Sequence, residues 1–188
     1  MTSKEYQNYI MPLIQDQLPA QEVQSEWYAF RGPRIHYSPR VDLAIGPFSI
    51  EGVGNQMAEY NHLLRENEQV RGFVRSIYDL HCENFRDQLE ITPFERLFAL
   101  NQNSRCLFAI EIENTNSKKH FMGSLINASS LGRVGIGVAF TESAFRTFSR
   151  IIHYLDFLRR VEKNTYDTRN FLVLRRQQFS ALLDFQEP

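Results

Sequence analysis

Cysteine and tryptophan are scarce in this chain of 188 residues, which holds two cysteines and one tryptophan. Two cysteines, Cys82 and Cys106, exclude a disulfide-stapled scaffold and a four-cysteine zinc site, and we interpret both as reduced thiols of a cytoplasmic protein. No stretch approaches the roughly 18 uninterrupted apolar residues of a membrane span, so we expect no membrane partner. Residues 1–19 also lack the basic-then-apolar order of a secretion signal, which agrees with a cytoplasmic location.

An excess of either charge sign is also missing, because the net charge is −1 at pH 7. The chain therefore has no global attraction to nucleic acid. The two halves nevertheless differ: residues 1–99 hold 9 basic and 14 acidic side chains, whereas residues 100–188 hold 12 basic and 8 acidic ones. We expect any surface that faces an anion to come from the second half.

Several catalytic motifs are absent as well. The five histidines form no His-Glu-x-x-His pattern, and no Gly-x-Ser-x-Gly sequence occurs. The glycines between Gly132 and Gly137 lack the lysine of a phosphate-binding loop and fit a buried strand better. These absences exclude the zinc-peptidase, serine-hydrolase and P-loop signatures.

What the chain does contain is 43% hydrophobic residues, with 15 Phe and 8 Tyr, which predicts one globular domain over residues 1–188. Hydrophobic periodicity predicts alternating helices and strands. The predicted helices are 3–18 with Ser3 as N-cap, 56–89 with a kink or a break into two helices at Gly72, 93–100, 117–131, 141–163 and 176–185. The predicted strands are 23–30, 41–48, 106–113, 134–139 and 170–174. Strand–helix–strand units in the second half predict an α/β fold with a parallel portion of sheet.

The long helical stretch carries an apolar line at nearly heptad spacing from Met57 to Phe85. Two interpretations suit this line: packing on the protein's own sheet, or a homodimer interface in a helical interaction module. We favour packing on the sheet.

Acidic residues stand at three predicted strand positions. Asp42 lies within Val-Asp-Leu-Ala-Ile, and Glu111 and Glu113 lie within Ala-Ile-Glu-Ile-Glu-Asn. A carboxylate on an apolar strand must be exposed at the strand end, paired with a cation such as Lys118 or Lys119, or bound to a metal. Glu111 and Glu113 share one strand face, where a divalent cation would relieve their repulsion.

These residues resemble the PD-(D/E)xK nuclease superfamily, whose core runs helix, three strands, helix, strand. The segment Pro39-Arg40-Val41-Asp42 resembles its first motif, and Glu111-Ile112-Glu113 resembles an acid-x-acid form of its second. The resemblance implies a restriction-endonuclease-like mixed sheet flanked by helices, with residues 56–100 as a helical insertion between the second and third core strands. The chain departs from the family in the long spacing of Asp42 from Glu111 and in the replacement of the usual lysine by Glu113.

The resemblance implies a metal-dependent nuclease that hydrolyses phosphodiester bonds, with DNA as substrate. Asp42, Glu111 and Glu113 would be catalytic and would hold Mg²⁺ or Mn²⁺. Lys118 and Lys119, at the start of the following helix, would offset charge in the transition state in place of the missing lysine.

Three further features remain open. Glu5, near the start of the first helix, would be an auxiliary ligand if that helix faces the site. Arg146 and Arg150, four residues apart on one helix, would contact nucleic-acid phosphates, or else belong to a solvated helix face. The alternative function is a catalytically inactive nuclease-fold protein that acts as a nucleic-acid-binding or assembly subunit.

Overall fold

The fold is α/β, with an open mixed sheet of five strands between layers of helices. The computed structural model describes residues 1–30, 38–50, 56–115, 117–163 and 166–185. The strands are β1 (Val23–Tyr28), β2 (Arg40–Ile45), β3 (Cys106–Glu113), β4 (Gly132–Ala139) and β5 (Phe171–Arg175). They lie in the order β1-β2-β3-β4-β5; the β1–β2 and β2–β3 pairs are antiparallel, and the β3–β4 and β4–β5 pairs are parallel.

Seven helices occur in the described parts of the chain. They are α1 (Ser3–Gln17), α2 (Met57–Glu66), α3 (Glu68–Asn84), α4 (Phe94–Leu97), α5 (Lys118–Leu131), α6 (Glu142–Arg160) and α7 (Arg176–Leu182). None of these helices combines the length and apolarity needed to cross a lipid bilayer.

Two hydrophobic clusters cover the two faces of the sheet. On one face, Ile110 of β3 belongs to a cluster built mainly from α1, α2, α3, α4 and α7. On the other face, Ala109 belongs to a cluster with Phe121 of α5 and Phe148 of α6. Side chains alternate between the two faces of a strand, so β3 is covered on both sides, which explains its nearly continuous apolar sequence.

The helices between β2 and β3 pack on the protein's own sheet, as predicted. Tyr60, Leu64, Val74 and Ile77 of the apolar line are fully buried in the same cluster as Ile110. The line is therefore part of the internal core.

The predicted division of this stretch into two helices is confirmed, but its predicted position at Gly72 is wrong, because the helix is interrupted at Asn67 and Gly72 lies inside α3. Asn67 has extended backbone angles, and its side chain accepts a hydrogen bond from the Val70 backbone N–H at 3.0 Å. This amide satisfies one of the unpaired donors at the start of α3, so α2 and α3 are separate helices. The predicted N-cap Ser3 is also wrong: Thr2 caps α1.

Candidate functional site: an acidic cluster at the C-terminal end of strand β3

Strand register brings the three predicted acids onto one face of the sheet. Leu43 pairs with Ile110 in the antiparallel β2–β3 ladder, so Asp42 lies at the position opposite Glu111. Directly opposed residues of an antiparallel pair share a face, with Cβ atoms about 5 Å apart. Glu113 lies two residues beyond Glu111 on that same face. Residues far apart in the chain thus form one cluster at the C-terminal end of β3.

A fourth carboxylate, Glu26 of β1, joins this cluster. The residues on either side of Glu26 pair with the residues on either side of Asp42, which places Glu26 opposite Asp42. Its φ angle of 51° is in the left-handed region, which is rare for a residue inside a strand. We did not predict Glu26 from the sequence, because a single acid on a half-exposed strand carries no distinguishing pattern.

Asp42 is held by two neighbouring elements. Its Oδ2 accepts a hydrogen bond from the backbone N–H of Ile112 at 2.7 Å, and its carbonyl oxygen accepts one from Nε2 of the buried Gln7 at 2.6 Å. Burial raises the pKa of Asp42 to about 6, with smaller contributions from the negative charges of Glu26 and Glu113, and the Ile112 hydrogen bond limits the rise. Oδ1 has no hydrogen-bond partner among the described residues and remains available to a ligand.

Of the four acids, Glu111 has the fewest groups that stabilise its negative charge. Its side chain is 7% exposed, and its carboxylate makes no hydrogen bond or ion pair with any residue that the structure describes. Burial, followed by the charges of Asp42 and Glu113, raises the pKa of Glu111 well above its usual value. A buried carboxylate in this situation needs either a proton or a bound cation.

Glu113 has one donor among the described residues. Ser124 of α5 donates a hydrogen bond from its hydroxyl to Oε1 of Glu113. Burial raises the pKa of Glu113, while the Ser124 hydrogen bond and the nearby His120 partly lower it again. The acid is therefore oriented by the helix that follows it in the chain.

Glu26 is the acid that keeps its charge. It forms ion pairs with Lys4 of α1 and with Nε of Arg40 at 3.0 Å. Partial burial opposes ionisation, but the hydrogen bond from Lys4 and the positive charge of Arg40 outweigh it, so the pKa of Glu26 lies below its usual value. The cluster thus combines one firmly charged carboxylate with three whose charged forms are disfavoured.

Small residues of β4 border the acids. In the parallel β3–β4 ladder Glu111 pairs with Gly137, and Glu113 pairs with Ala139. A Cβ on Gly137 would lie 2.5 Å from Cζ of Phe171, so only glycine fits there without displacement of the ring. This tight packing fixes the position of the β4 backbone that lies beside Glu111 and Glu113.

Lys118 and Lys119 are the first two residues of α5, and both are exposed without an ion-pair partner in the described parts of the chain. His120 is better placed than either lysine, because it precedes Ser124 by one helical turn and influences the pKa of Glu113. In the sequence His120 directly follows the two lysines.

Glu5 has a local role in the structure. Its carboxylate accepts hydrogen bonds from the backbone N–H of Thr2 at 2.7 Å and from the Thr2 hydroxyl at 3.1 Å, which completes a capping box at the start of α1. The Thr2 hydrogen bonds lower the pKa of Glu5. The α1 residues that contact the acidic cluster are instead Lys4 and Gln7.

Arg146 and Arg150 are exposed on the outer face of α6. Nε of Arg146 lies 3.7 Å from the Glu142 carboxylate, and Arg150 has no ion-pair partner among the described residues. The helix α6 begins near the cluster, since Phe140 donates a backbone hydrogen bond to the Glu113 carbonyl at 2.9 Å. Both arginines are thus accessible to a polyanion that approaches along this helix.

The donor set suits a hard divalent cation. No three His, Cys, Asp or Glu side chains in the described ranges form a preassembled metal group. Magnesium is nevertheless usually held by one or two carboxylates, several waters and substrate phosphates. Oδ1 of Asp42 and the carboxylate of Glu111, opposite each other on the sheet and unpartnered within the described chain, meet that lower requirement.

Comparison of the sequence with known protein families, with curated proteins and with solved structures finds no match. A function for this site is therefore inferred from the geometry and chemistry of its residues alone.

Proposed function

We propose that this protein is a metal-dependent nuclease that hydrolyses phosphodiester bonds in DNA. The observation that carries the proposal is the buried carboxylate of Glu111, unpartnered among the described residues, opposite Asp42 and on the same sheet face as Glu113. The element order α1, β1, β2, β3, α5, β4 supports it, because it follows the helix, three strands, helix and strand of the PD-(D/E)xK core. On this proposal α2, α3 and α4 form a helical insertion in a restriction-endonuclease-like fold.

Asp42 and Glu111 would hold Mg²⁺ or Mn²⁺, which when bound acidifies water and neutralises charge on the scissile phosphate. Glu113, oriented by Ser124, would accept a proton from the attacking water. Its raised pKa makes it a stronger base than an exposed glutamate.

Basic residues of α5 would complete the site. His120, one turn before Ser124, would face the phosphate beside Glu113, and Lys118 and Lys119 would attract the backbone of the nucleic acid. Arg146 and Arg150 would extend the contact along α6. These side chains would offset the negative charge that develops on the phosphate oxygens.

The second candidate is a catalytically inactive protein of the same fold that binds nucleic acid or a partner protein. Two observations favour it: Asp42 and Glu113 already accept hydrogen bonds from Ile112 and Ser124, and no three-ligand group is preassembled in the described ranges. On this alternative Glu111 would simply be protonated.

Calorimetric titration of Mg²⁺ and Mn²⁺ into the wild type and into Glu111→Gln distinguishes the two functions, with nicking of supercoiled plasmid measured on the same samples. The substitution of amide for carboxylate keeps the volume of the side chain and removes its charge. The matched control is Glu59→Gln, since Glu59 is an exposed acid in the first turn of α2.

The nuclease proposal expects metal binding and metal-dependent nicking in the wild type and the control, and neither in Glu111→Gln. Metal binding without nicking would reject catalysis and support the inactive alternative. Absence of metal binding at millimolar concentration, with all three proteins folded by circular dichroism, would reject the metal site itself.

A further inference from the structure

A cavity lies beside the edge strand β5, away from the acidic cluster. It is bordered by the start of β5, by α3, by the segment around residues 89–92 and by the second half of α6. The cavity and the open solvent in its mouth together occupy about 600 Å³. Most of its inner surface comes from apolar side chains, namely Leu89, Ile91, Leu97, Ile152, Leu155 and Phe171. The described residues that line the cavity include none of the four acids, so a ligand bound there would be independent of the proposed nuclease function.

His81 presents a donor that no described residue uses. Its Nδ1 accepts a hydrogen bond from the backbone N–H of Val173 in β5 at 3.0 Å. A ring that accepts at Nδ1 carries its proton on Nε2, and burial, which lowers the pKa of His81 to about 4, keeps the ring neutral. The side chain is 6% exposed and lines the cavity, and its Nε2 has no partner in the described parts of the chain.

Thr92 supplies a second unused group. It is 5% exposed and lines the same cavity, and its Oγ1 has no hydrogen-bond partner within the described ranges. Its backbone carbonyl is already occupied by the hydroxyl of Tyr78 at 2.9 Å. A buried hydroxyl without a partner costs about 1–3 kcal/mol, so the Thr92 hydroxyl, on the same cavity as the unused Nε2 of His81, indicates that a molecule other than the protein satisfies it.

The charges that line the cavity are already balanced. Arg169 donates to the carboxylate of Asp167 from Nε at 2.9 and 3.1 Å. Arg159 pairs with Asp156 at 2.7 Å and with Glu90 at 3.4 Å, while its buried Nε is without a partner in the described structure. Asp156 also pairs with Arg160, which lies outside the lining, at 3.1 Å, so every lining carboxylate has a cationic partner. The unused groups are hydrogen-bond donors.

We propose that this cavity binds a small uncharged organic molecule that has an apolar body and a carbonyl or ring-nitrogen acceptor directed at His81 and Thr92. The apolar body would fill the space between Leu89, Ile152 and Phe171. The acceptor would satisfy the two donors. Small-molecule sites commonly combine an apolar lining with a few convergent polar groups in this way.

Acetophenone and ethylbenzene form a matched pair of probes, since they are nearly equal in shape and only acetophenone carries an acceptor. Their affinities are measured by NMR titration of the full-length wild type, of Thr92→Val and of the control Thr147→Val, whose hydroxyl lies on α6 and bonds to the Ser143 carbonyl. The ¹⁵N and ¹H resonances of the His81 ring report the second donor directly.

We expect the wild type and the control to bind acetophenone about tenfold more tightly than ethylbenzene, the gain of one good hydrogen bond. Thr92→Val should lose most of this preference, and only acetophenone should shift the His81 Nε2–H resonance. Equal affinity for both probes in the wild type would overturn the proposal. So would an absence of saturable shifts at millimolar probe, which would mean that ordered water alone satisfies the donors.

Discussion

At the scale of single residues, the four carboxylates of the acidic cluster differ in how well their surroundings stabilise the charged form. Glu26 keeps its charge because Lys4 and Arg40 pair with it, whereas burial disfavours the charged forms of Asp42, Glu111 and Glu113. Such division among neighbouring acids is common where a site holds a cation or moves a proton. A purely structural cluster would be expected to pair every acid with a base.

Ser124 offers a direct test of how Glu113 is tuned. We expect Ser124→Ala to raise the pKa of Glu113 further, because the hydroxyl that stabilises the charged form is lost. The side-chain carboxyl resonances in a ¹³C NMR titration measure this shift. The control is Ser143→Ala, an exposed serine in the first turn of α6. An unchanged Glu113 titration in Ser124→Ala would show that the hydrogen bond does not form in solution.

At the scale of elements, the sequence predicted the elements whose signals are local. The apolar run from Cys106 to Ile110 and the acids behind it identified β3 with its observed bounds, and Thr141 was correctly predicted to cap α6. These signals depend on neighbouring residues only. Tertiary contacts support them elsewhere: α1 continues through Pro12, as the predicted helix 3–18 requires, and its Tyr6, Ile10 and Ile14 are fully buried.

The candidate site was predictable only in part. Asp42, Glu111 and Glu113 stand out because acids are unusual on apolar strands, but their meeting depends on the β2–β3 register, which no local pattern specifies. Glu26 and its left-handed backbone were missed for the same reason. The cavity donors of His81 and Thr92 have no sequence signal at all, since a group is unused only when the whole fold brings no partner to it.

The break between α2 and α3 yields a prediction at this scale. We expect Asn67→Ala to lower the free energy of unfolding by about 1 kcal/mol, because the side chain that caps the Val70 N–H is removed. Urea denaturation followed by circular dichroism measures the change. Asn8→Ala is the control, since Asn8 is exposed in the middle of α1 and alanine favours helix there. A loss no larger than in the control would mean that packing, and not the cap, ends α2.

At the scale of the whole molecule, groups on different parts of the fold set the pH dependence of stability in opposite directions. His81 has a pKa lowered to about 4, so it is harder to protonate in the native state, and stability is lost as the pH falls from 6.5 towards 4. Asp42 has a pKa raised to about 6, so the native state retains its proton longer, and stability is lost as the pH rises from 3.8 to 6. The two windows overlap and largely cancel.

Because His81 and Asp42 offset each other, the contribution of Glu111 to the pH dependence is left unbalanced from pH 4.5 upward. Its pKa lies well above the usual value, so the native state holds a proton that the unfolded chain has released, and stability falls as the pH rises. We therefore expect the free energy of unfolding in EDTA to decline as the pH rises above 4.5, until Glu111 ionises in the native state, as measured by urea denaturation. Glu111→Gln should remove the decline, and a saturating divalent cation should reverse it in the wild type, because binding to the charged carboxylate stabilises only the folded chain. A wild-type stability that rises over the same pH range in EDTA would mean that Glu111 is charged in the native state without a metal, and the case for a cation at the C-terminal end of β3 would lose its physical basis.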